Sequence, residues 1–342
     1  MRGSERTTGH FPAGKPGSLS LPVPPGYHQQ MKVIFFGTPE FALPCLDRLI
    51  ESDHQVVLVV SRPDKPVGRK KVMTPPPVVE ASLAHGLEVW QPKSLKGQSV
   101  AARLRESGAE VAAVVAYGRI IPLDCLNAVP RGMVNVHPSL LPRHRGPSPI
   151  QWALVCGDRR TGVSTMLLDE GQDTGPILLQ ETVEIDPRET AEDLSPRLAA
   201  IGARLLVRTL DEMEKGDLKP RTQPTDGISE TPMLRREFAK IDWSRPARQL
   251  ANRLRGFTPW PGLFTIFRQD RLKIFGLEVV DKPPPGSEKP GEVLSADGTG
   301  IVVRCGRHTA VRITEVQREG RRQMPVDAFL IGERVSCGEH LG

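Results

Sequence analysis

From residue 31 to residue 136 the chain alternates short, almost uninterrupted apolar runs with longer amphipathic stretches, and few architectures can bury that alternation. The runs are Val33–Phe36, Val56–Val60, Val111–Ala116 and Met133–Val136, and the helical stretches between them are Phe41–Ser52, Val78–His85 and Ser99–Glu106. A strand with one wet face reads apolar and polar in turn. A strand without polar positions must be covered on both sides, which is what helices do for a parallel sheet in an α/β fold. Gly162–Leu168 and Ile177–Ile185 read as two further strands. Residues 189–215 place Leu194, Leu198, Ile201, Leu205, Leu206 and Leu210 at helical spacing before Gly216 ends the helix.

The flanks differ in character. Residues 1–30 are rich in Gly, Pro and Ser, hold no apolar stretch long enough for a signal-peptide core, and read as a disordered tail. Met31 is then expected to be an alternative or true start, which mass spectrometry of the native N-terminus would decide. Residues 216–236 have a linker composition, with Gly216, Pro220, Pro224, Gly227 and Pro232. Over 237–342 one helical stretch, Ala247–Arg255, precedes closely spaced strands at Leu263–Phe267, Leu272–Leu277, Gly300–Arg304 and Ala310–Val316, the pattern of a small β-barrel or sandwich. A length of 342 residues suits two domains. The longest apolar runs fall far short of the ~20 residues of a membrane span. Five scattered cysteines without a CxxC pair argue against a disulfide framework and a cysteine-type zinc site, and fit a reducing cytoplasm. Residues 237–342 carry +4 of the net charge of +6, which makes the smaller domain the better candidate for a polyanion.

Three segments carry chemistry. Asn135 and His137 stand two apart at a strand end, so both side chains leave by one face, and the carboxyl edge of a parallel sheet is where such folds bind ligands. Histidine moves protons near neutral pH, and asparagine offers a donor to a developing oxyanion. The same spacing is met by a turn-capping His and a loop-satisfying Asn. Residues 166–175 end a strand in a turn with Asp169, Glu170 and Asp173, which reads either as carboxylates serving a histidine or as an ordinary acidic turn. Residues 61–75 set Arg62, Lys65, Arg69, Lys70 and Lys71 against one acid, Asp64, in what reads as a flexible cationic loop suited to phosphate or to solvent alone. Scattered histidines without HxxxH or HExxH spacing leave no metal site. Residues 37–41 are not a dinucleotide fingerprint.

Together these segments resemble the folate-dependent formyltransferases. The resemblance rests on residues 35–41, the Pro66-Val67-Gly68-Arg69 loop, Val115-Ala116-Tyr117-Gly118, Asn135-Val136-His137 with Ser139–Pro142, Asp169 through Gly175, and Ile241-Asp242-Trp243-Ser244 with Pro259-Trp260-Pro261. The loop and the Asp-Trp-Ser segment point to the branch acting on methionyl-tRNA. The resemblance implies a Rossmann-like, mostly parallel catalytic domain over 31–215, then an OB-like barrel over 237–342 that binds tRNA. It implies formyl transfer from 10-formyltetrahydrofolate to initiator methionyl-tRNA by a cytoplasmic monomer, with no metal. Asn135, His137 and Asp173 would be catalytic, Ser139, Leu140, Leu141, Pro142, Tyr117 and Gly118 would line the folate site, and Arg69 with Lys70, Lys71, Arg62 and Lys65 would meet the tRNA. Three positions depart from the pattern: Pro138 stands for a glycine, Gln172 for Leu or Met, and His144 for an aromatic residue. Formyl transfer to a small amine would need no basic second domain. Hydrolysis through Ser139 lacks a GxSxG elbow, and a non-catalytic RNA-binding scaffold would not need the complete trio.

Overall fold

The computed structural model describes residues 30–342 apart from Arg69 and Ser287, so the tail and the arginine of the basic loop lie outside the described residues. Strands β1 (Lys32–Gly37), β2 (Gln55–Val60), β3 (Lys65–Val67), β4 (Val72–Thr74), β5 (Val89–Trp90), β6 (Val111–Val115), β7 (Met133–His137), β8 (Arg160–Leu167) and β9 (Ile177–Glu184) precede β10 (Leu263–Phe267), β11 (Asp270–Val280), β12 (Val293–Asp297), β13 (Gly300–Arg304), β14 (Ala310–Arg318) and β15 (Met324–Pro325). The helices are α1 (Leu43–Ile50), α2 (Pro77–Ala84), α3 (Gln98–Glu106), α4 (Leu123–Leu126), α5 (Pro149–Cys156), α6 (Ala191–Lys215), α7 (Ala247–Phe257) and α8 (Val326–Gly332).

Seven strands form one sheet in the order β5-β2-β1-β6-β7-β8-β9, parallel through β7 and antiparallel at β8 and β9. The apolar runs divide by pleat as a doubly covered sheet requires. Val33 and Phe35 enter one core with Leu46 of α1 and Leu198 and Leu206 of α6, while Ile34 and Phe36 enter the other with Leu104 of α3 and Leu126 of α4. The long helix α6 begins at a capping box of Thr190 and Asp193 and ends at Gly216 in the left-handed conformation.

The second domain is an antiparallel sheet ordered β10-β11-β14-β13-β12, with β15 on β14, a main apolar core shared with α7 and α8, and a small second cluster of Leu294, Val302 and Ala310. No pair joins β10 to β12 among the described residues, as in a partly open barrel. The two units meet along α5 and α7. Gly256 comes so close that a Cβ there would lie 2.6 Å from the Gln151 carbonyl oxygen, and Trp152 sits edge-on to Phe238 and Phe257 with centroids 5.7 and 6.2 Å away. No helix among the described residues is long and apolar enough to cross a membrane.

Two segments differ from the sequence reading. The supposed flexible loop is a hairpin, β3 against β4, paired Lys65↔Thr74, Pro66↔Met73 and Val67↔Val72. Pro66 argues against a strand, yet an isolated two-stranded ribbon has outer edges that need no proline N–H. The segment 216–236 is pinned to the first domain instead of running free: Arg221 pairs with Ile177, and Arg145 bridges to Glu230.

Candidate active site

Strand β7 lies between parallel β6, with Val114 opposite Asn135, and antiparallel β8, with His137 opposite Ser164. Val134 and Val136 enter the core, and Asn135 and His137 leave by the other face. The turn after β8 brings Asp173 to them. Its Oδ1 lies 3.4 Å from Asn135 Nδ2, its Oδ2 lies 3.7 Å from His137 Nδ1, and Oδ2 accepts the Gly146 N–H at 2.8 Å. Of the three acids in that turn only Asp173 reaches the histidine. Asp169 instead accepts from the Gly171 N–H and the Thr174 hydroxyl, so it shapes the turn.

The histidine's tautomer follows from its partner. His137 Nε2 lies 2.9 Å from the carbonyl oxygen of His144, which can only accept, so Nε2 carries hydrogen and the neutral ring keeps its lone pair at Nδ1. At 3.7 Å the Nδ1–Asp173 pair is an electrostatic contact and not a hydrogen bond. Nδ1 thus faces a carboxylate that is itself held by Gly146. Both His137 and His144 are buried.

Ser139, Leu140, Leu141 and Pro142 follow directly. The Ser139 hydroxyl donates to the Arg143 carbonyl at 2.6 Å, Leu141 packs with Met166 and Ile177, and Leu140 approaches Gly162, so these side chains hold the loop's own shape. Pro138 sits in a tight turn closed by the Ser139 N–H on the His137 carbonyl at 2.8 Å, for which a φ fixed by the pyrrolidine ring is well suited. His144 replaces an aromatic residue with one that grips: its Nε2 is 2.6 Å from Asp158 Oδ2, whose other oxygen accepts from Arg143 at 2.7 Å.

The sheet order turns at β1, with β2 on one side and β6 on the other, and crevices open at such points. Here the Thr38 hydroxyl donates to the Tyr117 carbonyl at 3.2 Å, and Tyr117 packs edge-on to Phe36. Burial pushes the Tyr117 hydroxyl pKa up, offset in part by Arg119 and Arg62. Ser61 Oγ and Arg62 Nε are buried without hydrogen-bond partners, and Arg62 Nη1 reaches to 3.4 Å from where a Cβ of Gly118 would stand. Arg62, Tyr117 and Gly118 thus share one corner of the crevice, whereas Lys65, Lys70 and Lys71 are exposed on the hairpin with Val67, Val72 and Met73. The base of that hairpin is tied down by Gln91, whose Nε2 donates to the Arg62 carbonyl and to Asp64 Oδ1 at 2.9 and 2.8 Å.

Sequence reasoning missed the residues that surround the trio from behind. Gln223, in the segment of linker composition, is buried and donates to the carbonyls of Asp173 and Gly175, both at 2.8 Å. Its oxygen accepts from Arg145 Nε and Nη2 at 3.1 and 2.8 Å. The Ser229 hydroxyl accepts from the His144 N–H, and Thr231 bonds the Arg145 carbonyl through both N–H and hydroxyl. No periodicity marks these positions.

The chain matches known proteins in both sequence and fold. The formyl transferase model matches residues 31–210, and the formyl transferase C-terminal domain model matches 233–334. The methionyl-tRNA formyltransferase of Pelotomaculum thermopropionicum is 45% identical over 313 residues, 91% of this chain and 99% of its own length. That of Symbiobacterium thermophilum is 44% identical over 309 residues, 90% of this chain and 94% of its own. Among solved structures, an N-formyltransferase from Helicobacter canadensis in complex with folinic acid and dTDP-3-aminofucose shares the fold at a TM-score of 0.61 and 15% identity, across 85% of this chain and all of its own. HypX from Aquifex aeolicus in complex with tetrahydrofolic acid does so at 0.58 and 17%, across 91% of this chain and 51% of its own.

Proposed function

The chain belongs to the formyl transferase family, within which its relatives are methionyl-tRNA formyltransferases, and on that premise we propose that it formylates initiator methionyl-tRNA from 10-formyltetrahydrofolate, as a cytoplasmic monomer serving translation initiation. The observation that carries the reading is the convergence of Asn135, His137 and Asp173 at the carboxyl edge of the sheet, the edge at which β2 also runs into the exposed basic hairpin.

In this reaction the α-amine of the methionyl group attacks the formyl carbon, and the bond from that carbon to N10 of the folate breaks. The amine loses a proton and N10 gains one. His137 Nδ1 accepts the proton and returns it to N10, and Asp173 stabilises the imidazolium in between. Asn135 Nδ2 donates to the oxyanion of the tetrahedral intermediate, a role whose loss typically costs ~2.7–4 kcal/mol of barrier. The crevice between β1 and β6 suits the folate. The unpartnered Arg62 Nε beside Gly118 matches a ligand rich in hydrogen-bond acceptors. Tyr117, Gly118 and Ser139–Pro142 are assigned to the folate by the resemblance to the family.

The test is formyl transfer from 10-formyltetrahydrofolate to charged initiator tRNA, with uncharged tRNA, a glycinamide ribonucleotide and an amino sugar nucleotide as alternative acceptors. Transfer to a small amine in preference to the charged tRNA would overturn the reading. For the hairpin, Arg69→Ala and Lys71→Ala should each weaken use of the charged tRNA. Each should also make the log–log salt dependence of kcat/KM shallower by about one, the counterion released per phosphate contact. An unchanged slope would reduce the hairpin to a solvated surface.

A further inference from the structure

The buried amide of Gln223 has its full hydrogen-bonding capacity in use around the catalytic aspartate. A carboxamide has two N–H donors and two acceptor lone pairs. Both donors go to the carbonyls of Asp173 and Gly175, and the oxygen takes two donors from the planar fork of Arg145. The amide has one orientation in this setting, because its nitrogen must face carbonyls and its oxygen a guanidinium. The turn it grips needs gripping. Asp173 is a non-glycine residue at φ +54°, a conformation that costs roughly 1–2 kcal/mol unless its surroundings enforce it. Beyond the Asp173 carbonyl the clamp continues into the other wall of the site. Arg145 precedes Gly146, whose N–H holds Asp173 Oδ2, and follows His144, whose carbonyl holds His137 Nε2.

We propose that Gln223 is a positioning residue for catalysis: by joining the turn at 173–175 to Arg145, it sets the Asp173 carboxylate and, through the same short loop, the His137 ring. An amide 50 residues beyond Asp173 in the chain thereby belongs to the active site, although it stands behind the trio. The inference rests on the formyl transfer reading for its kinetic consequence alone, since the contact itself is geometric.

Gln223→Glu is the discriminating change. It keeps the size and the two lone pairs facing Arg145, but turns an oxygen toward two carbonyl oxygens where donors stood. The expected result is a fall in kcat of about 10²-fold, the size of effect that a misplacement of about an ångström brings. KM for charged tRNA and for folate should stay within about threefold of wild type, because no substrate contact has been removed. Amide hydrogen exchange should rise over residues 169–176 and not across β1, β2 and β6. Gln223→Met, of similar length and without polar atoms, guards against a misfolded glutamate variant and should show the same exchange pattern.

Two results would overturn the proposal. One is unchanged exchange at 169–176 together with wild-type kcat in both variants. The other is a rise in KM that accounts for the whole loss of kcat/KM. A wild-type protein inactive toward charged tRNA, with exchange still rising at 169–176 in the variants, would remove the reaction assigned above and leave the clamp on Asp173 standing.

Discussion

His137→Ala should lower single-turnover formyl transfer by about 10²–10⁴-fold, the usual contribution of a positioned general acid–base, with KM for both substrates little changed. The ring is held by one hydrogen bond, from Nε2 to the carbonyl of His144, and presents Nδ1 toward Asp173. Alanine removes the lone pair that takes the amine proton and leaves the His144 carbonyl without its donor. That second effect is a stability cost of about 1–3 kcal/mol, so rates must be compared well below the variant's melting transition. Asp173→Asn separates the two contributions. It keeps an oxygen for the Gly146 N–H but loses the charge opposite Nδ1, and should slow the reaction with less effect on the melt. A His137→Ala rate within tenfold of wild type would sink the assignment of His137 as the base.

Gly146→Ala is expected to damage both stability and turnover. Gly146 adopts φ +111°, where an L-residue is strained, and a Cβ there would lie 2.5 Å from the Thr231 carbonyl oxygen and 3.0 Å from its hydroxyl oxygen. Neither backbone can yield alone, because Thr231 is bonded to the carbonyl of Arg145 and the Gly146 N–H is bonded to Asp173. Relief requires the 223–231 segment to move away from the site or Asp173 to lose its donor. A loss of about 1–3 kcal/mol in urea unfolding is expected from the backbone strain. Displacement of the carboxylate should lower kcat by about 10²-fold. Wild-type kcat in a protein of wild-type stability would show that the turn absorbs the methyl, contrary to the close packing described.

What was legible in the sequence was whatever repeats. The apolar runs announced β1, β2, β6 and β7 because both faces of those strands are buried, and α6 showed itself by an apolar stripe that Gly216 ends. Asn135 and His137 were legible because a strand's period of two predicts a shared face. Asp173 among three neighbouring acids was reached only by resemblance. Nothing local separates it from Asp169, whose oxygen closes a turn. Gln223, Ser229 and Thr231 were illegible for a different reason. They work as single side chains on irregular backbone, where composition reports solvent and turn propensity but not what a particular amide touches. The hairpin was obscured by Pro66, whose usual meaning reverses in a ribbon that pairs on one side only.

The contact between α5 and α7 bears on how such a protein can change over time. Where the helices cross, the separation is set by Gly256 against the Gln151 carbonyl and by Gly157 against the Asn252 amide, with Trp152, Phe238 and Phe257 packed alongside. The angle between the two units therefore depends on a handful of positions at which a larger residue does not fit. The outward faces of the second sheet take no part in that angle. Exposed residues such as Arg271 and Lys273 on β11 lie outside that contact, so substitutions among them can accumulate while the seating of one unit on the other stays fixed.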